Sequence, residues 1–300
     1  MNFPLSEVLS RAWQITWKHK ALWGAAFVLS FVMYLILPLM FIPWFRILTE
    51  RDSSRWFDNP LPWILVGAGF IVLMLVSYGV GPLIRSALIV GALTAERGAG
   101  KVSFREIFSD GRAFYLRLLG LMLLYALVTM LVMSLIFAIQ TIGNILTMGL
   151  ASLCMMPLTI LMYPLMFATL AWMELAESAI VVDGLGVLDA IRRAWEILRS
   201  NKTSIFIIAL IIYMGVGMVT SLVMFPLFLP MFFAPVFILK EGEISNGLFW
   251  AAGIGLALFI PVLTFIQAIG MVFMKTSWLL TYLRLAHKPE ETAVVPDANA

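Results

Sequence analysis

Four charged residues stand where charge is costly. Arg85 and Lys275 each close a long apolar run, and Glu174 and Glu177 directly follow another. Charged side chains at bilayer depth face a bundle interior or a polar cavity and pair with one another. Two chemistries fit. In the first, Arg85 or Lys275 forms a structural ion pair with Glu174, and the long basic side chains snorkel toward water. In the second, Arg85 and Lys275 line a basic cavity that holds an anionic lipid headgroup or a small anion. Ser77, Gly81 and Arg85 recur at i+4, and Thr264, Gln267 and Lys275 fall close to one helical face. Pro82, Pro164 and Pro261 lie in the same segments, where each frees a carbonyl for a neighbouring donor.

Little else offers reactive chemistry. The only histidines are His19 and His287, and the one cysteine, Cys154, sits in an apolar run as a small packing residue. The sequence carries no HExxH, GxSxG, P-loop, CxxC or dinucleotide fingerprint. The remaining carboxylates lack the paired spacing of a metal or acid–base site. The 19 methionines are not clustered with His or Cys and read as filling for irregular apolar space. The expectation is a protein that is not an enzyme and needs no cofactor or metal.

The elements that must position these charges follow from composition. Of 300 residues, 62% are hydrophobic and 12% are charged, with a mean hydropathy of +0.99. Soluble domains average about 45–50% apolar and about 25% charged. The excess requires lipid and excludes a soluble enzyme, a disordered chain, a disulfide scaffold and a typical nucleic-acid-binding domain. The net charge of +3 is accounted for by basic loops, so no nucleic-acid partner is expected. No cleavable signal peptide is visible, because the first long apolar run starts only at Ala21.

Runs free of Asp, Glu, Lys and Arg cover 21–45, 59–84, 118–173, 203–239 and 244–274. A helical crossing takes about 20 apolar residues. The third run therefore holds two crossings, with a turn expected at the polar stretch Gln140–Asn144. The fourth is too short for two, and Pro226, Pro230 and Pro235 predict one helix followed by a broken segment. The total is six spans. Fourteen of the 20 basic residues then fall on the side of both termini, which predicts a cytoplasmic-membrane protein with cytoplasmic termini. Trp23, Trp44, Trp56 and Trp63 lie near span ends, as interfacial anchors do.

The chain also repeats itself. LSRAWQITWKHK at 9–20 matches IRRAWEILRSNK at 191–202, and SFREIFSDGRAFYLRLL at 103–119 is a weaker third copy. Spans with similar proline-rich ends follow the first two: LPLMFIPWF, with Pro38 and Pro43, and FPLFLPMFF. Leu5, Leu9, Trp13 and Trp17 form one stripe, opposed by Glu7, Arg11, Gln14 and Lys18. Val187, Leu188, Ile191, Trp195 and Leu198 form the other, opposed by Asp189, Arg193 and Glu196. Such helices suit a membrane interface, either as a collar that orients the next span or as a docking surface. The residues that mark them are Arg11, Trp13, Trp17, Arg193 and Trp195. Ala87, Gly91 and Ala95 make a small-residue ridge suited to close packing within the bundle.

The predicted architecture is an all-α integral membrane bundle of six helices. Three repeats of amphipathic helix plus helical hairpin, at about 5–98, 102–184 and 186–286, form one domain over 1–286, and 287–300 is a flexible cytoplasmic tail. GALTAERGAGKVSFREIFSDGRAFYLRLL at 91–119 and VVDGLGVLDAIRRAWEILRSNK at 181–202 resemble bacterial six-span membrane proteins. That group includes the membrane domain joined to some glycerophosphodiester phosphodiesterases. There the hydrolytic chemistry belongs to a separate soluble barrel, so the resemblance implies the membrane fold and not the activity. The functional expectation is a non-enzymatic inner-membrane protein that organises lipid or partner proteins. Its partners would be membrane lipids and an unidentified membrane or cytoplasmic protein. The alternative is a transporter or lipid-handling protein with a basic cavity at Arg85 and Lys275.

Overall fold

The computed structural model describes residues 4–34, 60–98, 103–241 and 246–286, with side chains over most of them. The predicted end of the first span, Trp44, Trp56, His287 and the tail lie outside the described residues, as does the Cys154 side chain. The elements are α1 (Leu5–Lys18), α2 (Ala21–Tyr34), α3 (Pro60–Leu75), a π turn (Val76–Val80) and α4 (Gly81–Glu96). Next come α5 (Phe104–Gly111), a short 3-10 turn (Arg112–Phe114), α6 (Tyr115–Leu146) and α7 (Leu150–Val182). The last are α8 (Val187–Ser200), α9 (Lys202–Glu241) and α10 (Asn246–Ala286).

Among the described residues, five helical stretches are long and apolar enough to cross a membrane. They are Trp63–Glu96, Phe104–Leu146, Met162–Val182, Lys202–Phe225 and Leu258–Ala286, and the apolar α2 is described over Ala21–Tyr34. The protein is an all-α membrane protein in its described parts. Leu131, Phe137, Met218 and Leu222 are exposed on the outer surface, as lipid-facing side chains are. The interior is built where α4, α7 and α10 pack on one another.

Each short amphipathic helix lies against the end of one of these inner helices: α5 on α4, α8 on α7 and α1 on α10. Hydrogen bonds tie them together at one end of the bundle. Arg11 Nε donates to Glu96 Oε2 at 2.8 Å, Arg284 Nη2 to Glu7 Oε1 at 2.7 Å and Arg117 Nη1 to the Gly184 carbonyl at 2.6 Å. Gly111 makes the α5–α4 contact possible, since a Cβ there would sit 3.0 Å from the Ala87 backbone nitrogen. The Ala87–Gly91–Ala95 ridge is thus buried within the chain.

Two local features differ from the sequence reading, and a third adds to it. First, α6 continues through Gln140–Asn144 and turns only at 147–149. Gly149 (φ +93°) supplies the left-handed backbone there, and its N–H bonds the Asn144 carbonyl at 2.8 Å. Second, α9 runs unbroken from Lys202 to Glu241 through Pro226, Pro230 and Pro235. A proline removes one backbone donor but keeps a helical φ, so a continuous helix survives. Third, the fully buried residues of α1 and α8 lie beside the apolar stripes named above. Val8, Ala12 and Ile15 are buried in α1, and Ala190, Ala194 and Ile197 in α8. Small residues let each helix lie close to its neighbour, which turns the tryptophans outward: Trp13 is 51% exposed and Trp195 is 52%.

Candidate functional site

The four charges meet in the interior, each carried by an inner helix. Arg85 on α4 and Lys275 on α10 both lie 11 residues before the end of their helix, about 16 Å at helical rise. Glu174 and Glu177 sit at i, i+3 on α7, so both carboxylates project from one face. Two acids this close would repel, and the cations from α4 and α10 enter between them.

Lys275 Nζ donates to Glu174 Oε1 at 2.9 Å, Glu174 Oε2 at 2.8 Å and Glu177 Oε2 at 2.5 Å. An ammonium has three protons, and these acceptors use all of them. Arg85 Nη1 donates to the remaining Glu177 oxygen, Oε1, at 2.7 Å. Glu177 therefore bridges the two bases, and the set is neutral. It is sealed at one side and open at the other: the Lys275 and Glu177 side chains are 1% and 0% exposed, and that of Arg85 is 27%. The other guanidinium nitrogens of Arg85 make no hydrogen bond among the described residues.

The polar residues expected beside these charges bond elsewhere. Thr264 Oγ1 donates to the Ile260 carbonyl at 2.7 Å, and Gln267 Nε2 to Thr220 Oγ1 at 3.2 Å. The π turn separates Ser77 from Gly81 and Arg85, so their i+4 spacing does not keep one face. Ser77 Oγ approaches Met33 Sδ instead. Pro82 sits just after that turn: it lacks an N–H and crowds the carbonyl four residues back, and the extra residue per turn relieves both.

The sequence marks Glu177 as a charge at depth but assigns the ion pair to Glu174 alone, and the structure makes Glu177 the shared partner. A signal for it exists. Arg85-Ser86-Ala87, Glu177-Ser178-Ala179 and Lys275-Thr276-Ser277 give each inner helix a charge followed by two small residues, all six of them buried. Small side chains there let three helices approach closely enough for the charges to meet.

The second cluster is the rim. Arg11 pairs with Glu96, and Arg284 reaches Glu7. Arg193 lies 3.6 Å from Glu196 and 3.5 Å from the Ala286 carbonyl. Tyr282 on α10 bonds Asp183 at the end of α7. Trp13 packs edge-on against Trp17 and Phe273, at 5.4 and 6.0 Å between ring centres, and Trp195 against Trp172 at 5.8 Å. Burial, with Lys18 and Arg11 nearby, holds the His19 imidazole below its ordinary pKa, so it is neutral at pH 7.

Comparison with curated proteins and with solved structures gives no match. A family model described as a domain of unknown function, DUF7847, matches residues 21–288. That match takes in α2 to α10 and all four buried charges, so the chain belongs to the DUF7847 family.

Proposed function

We propose that this is a non-catalytic, six-span protein of a bacterial cytoplasmic membrane, with both termini in the cytoplasm, that organises lipids or a partner protein at that face. In this reading three units, each an interfacial helix followed by a helical hairpin, surround the inner helices. The likeness to the membrane domain of glycerophosphodiester phosphodiesterases reflects a shared scaffold, used here without the hydrolase. The observation that carries the reading is the saturation of Lys275. Its three protons go to Glu174 and Glu177, which leaves none for a transported anion. Half-exposed Trp13, Trp17 and Trp195 on α1 and α8 support a working surface at the basic rim, where tryptophan and basic residues favour the membrane boundary.

A photoreactive residue at Trp13 or Trp195, activated in cells, tests this. The expected result is a reproducible cross-link to one protein or to lipid, with no solute flux in liposomes holding the purified chain. Solute flux without any reproducible cross-link would sink the reading. One observation favours the alternative: Arg85 is partly open and keeps unused donors. A lipid-handling or transport role at Arg85 predicts flux that Arg85→Met abolishes.

A further inference from the structure

Residues 182 positions apart in α1–α2 and α8–α9 occupy matching places. The helices have equal length, Leu5–Lys18 and Val187–Ser200. Each opens on an equivalent bond, Val8 N–H to the Pro4 carbonyl and Ala190 N–H to the Gly186 carbonyl. Each closes on another, His19 N–H to Ile15 and Asn201 N–H to Ile197. Ala12 and Ala194 are both fully buried, and Trp13 and Trp195 are equally exposed.

Two of the positions at which the copies differ shape the angle between the helices. In the first copy, Trp17 and Trp23 fill the angle between the amphipathic helix and the span that follows. Their rings meet edge-on at 5.0 Å, Trp23 lies edge-on to Phe265 of α10 at 5.6 Å, and its indole N–H bonds the Thr16 carbonyl at 2.8 Å. In the second copy the matching residues are Arg199 and Ile205. The angle is left as a crevice of about 580 Å³ between α7, α8 and α9. Phe167, Ala171, Leu198 and Phe206 are among its apolar lining, and the lining also includes Arg199 and Lys202. Both bases are exposed, and neither pairs with a carboxylate among the described residues. The volume is within the range of small-molecule sites, about 300–1,000 Å³.

We propose that this crevice is a binding site for a phospholipid with an anionic headgroup. An acyl chain takes the space that Trp17 and Trp23 take in the first copy, and the headgroup phosphate meets Arg199 and Lys202. Charge complementarity selects this occupant. The crevice opens on a lipid-facing flank of spanning helices, is apolar below, and carries two unpaired cations at the end where the rim bases gather. The proposal names the lipid within the organising role above and rests on that reading.

The purified full chain, titrated with phosphatidylglycerol and with phosphatidylcholine in detergent and followed by native mass spectrometry, tests it. The wild type should bind phosphatidylglycerol more tightly than phosphatidylcholine, and inorganic phosphate should not displace it. R199Q/K202Q, changed only at exposed positions, should weaken phosphatidylglycerol about 30-fold, from about 1 kcal/mol for each basic residue, and leave phosphatidylcholine unchanged. Ala168→Phe, which fills the crevice from its lining, should weaken both lipids. Equal affinity for the two lipids in the wild type, or variants that bind phosphatidylglycerol as the wild type does, would overturn the proposal. Displacement by inorganic phosphate would also overturn it, by making the site one for a free anion. If lipid retention fails while a protein cross-link at Trp195 persists, the crevice is refuted and the organising role stands. Solute flux with lipid selectivity intact refutes the organising role and leaves the crevice.

Discussion

The helices α4 and α10 each carry two ion-paired residues, one deep and one at the rim, and the two levels behave differently. At depth, Arg85 and Lys275 meet Glu177 and Glu174 in a nearly closed set. About 14–16 Å along the same helices, Glu96 and Arg284 join Arg11 and Glu7 on α1 at comparable distances, 2.8 and 2.7 Å, but with the Arg11, Arg284 and Glu7 side chains open to solvent. Similar geometry has unequal consequences. A buried ion that loses its partner has no water to replace it, and an exposed one does. The deep set therefore makes the three inner helices mutually dependent, and the rim set positions α1 with little leverage on stability.

The sharpest way to break this contrast is Lys275→Met. It leaves Glu174 and Glu177 facing each other in a closed site with only Arg85 to neutralise them. The expected loss is about 3–5 kcal/mol, read as a large drop in unfolding temperature in detergent or as failure to accumulate. Lys275→Met combined with Glu174→Met should then recover most of that loss. The Arg85–Glu177 pair survives, and apolar replacement of a whole buried pair is often neutral or stabilising by about 1–4 kcal/mol. If the double variant is no better than the single one, the deep set matters for something other than charge balance.

At the rim, Arg284→Ala should cost about 0–1 kcal/mol, and the difference from wild type should shrink as salt is raised in the same unfolding assay. A cost as large as that of Lys275→Met would erase the distinction between the two levels. The smallest effect concerns pH. His19 is held neutral in the folded chain, with its pKa below the ordinary 6.5. The unfolded chain then binds the extra proton, so stability should decline as pH falls through about 6.5 and below. His19→Gln should flatten that decline in unfolding measured between pH 7.5 and 5, leaving stability at pH 7.5 nearly unchanged.

The residues differ in how openly the sequence declares them. Arg85, Lys275, Glu174 and Glu177 stand out because a charge beside a long apolar run is visible in one dimension. The bridging role of Glu177 is not visible there, because it lies in meeting bases 92 and 98 residues away. The apolar stripe of α1, Leu5, Leu9, Trp13 and Trp17, is legible in the sequence, but which residues are sealed is not: burial follows Val8, Ala12 and Ile15, because close packing selects small and medium residues and leaves Trp13 and Trp17 half-exposed. The turn after α6 sits at Gly149 and not at Gln140–Asn144, since backbone geometry demanded a positive φ more than the chain demanded polarity.

The sequence by itself determined the solvent of this protein and the places where charge would be expensive. Both follow from composition and from runs of apolar residues, which are sums along the chain. It also shows the Arg-Ala-Trp-x-Ile pattern shared by α1 and α8, because such a match is a property of order. Only the tertiary structure decided that two bases and two acids meet in one set, sealed around Lys275 and Glu177. Only the tertiary structure shows that the angle between α1 and α2 holds Trp17 and Trp23 while that between α8 and α9 borders a crevice. Those outcomes depend on which helices pack together and how closely. That is settled by small residues such as Ala87, Gly111 and Ala194 at contacts between segments far apart in sequence.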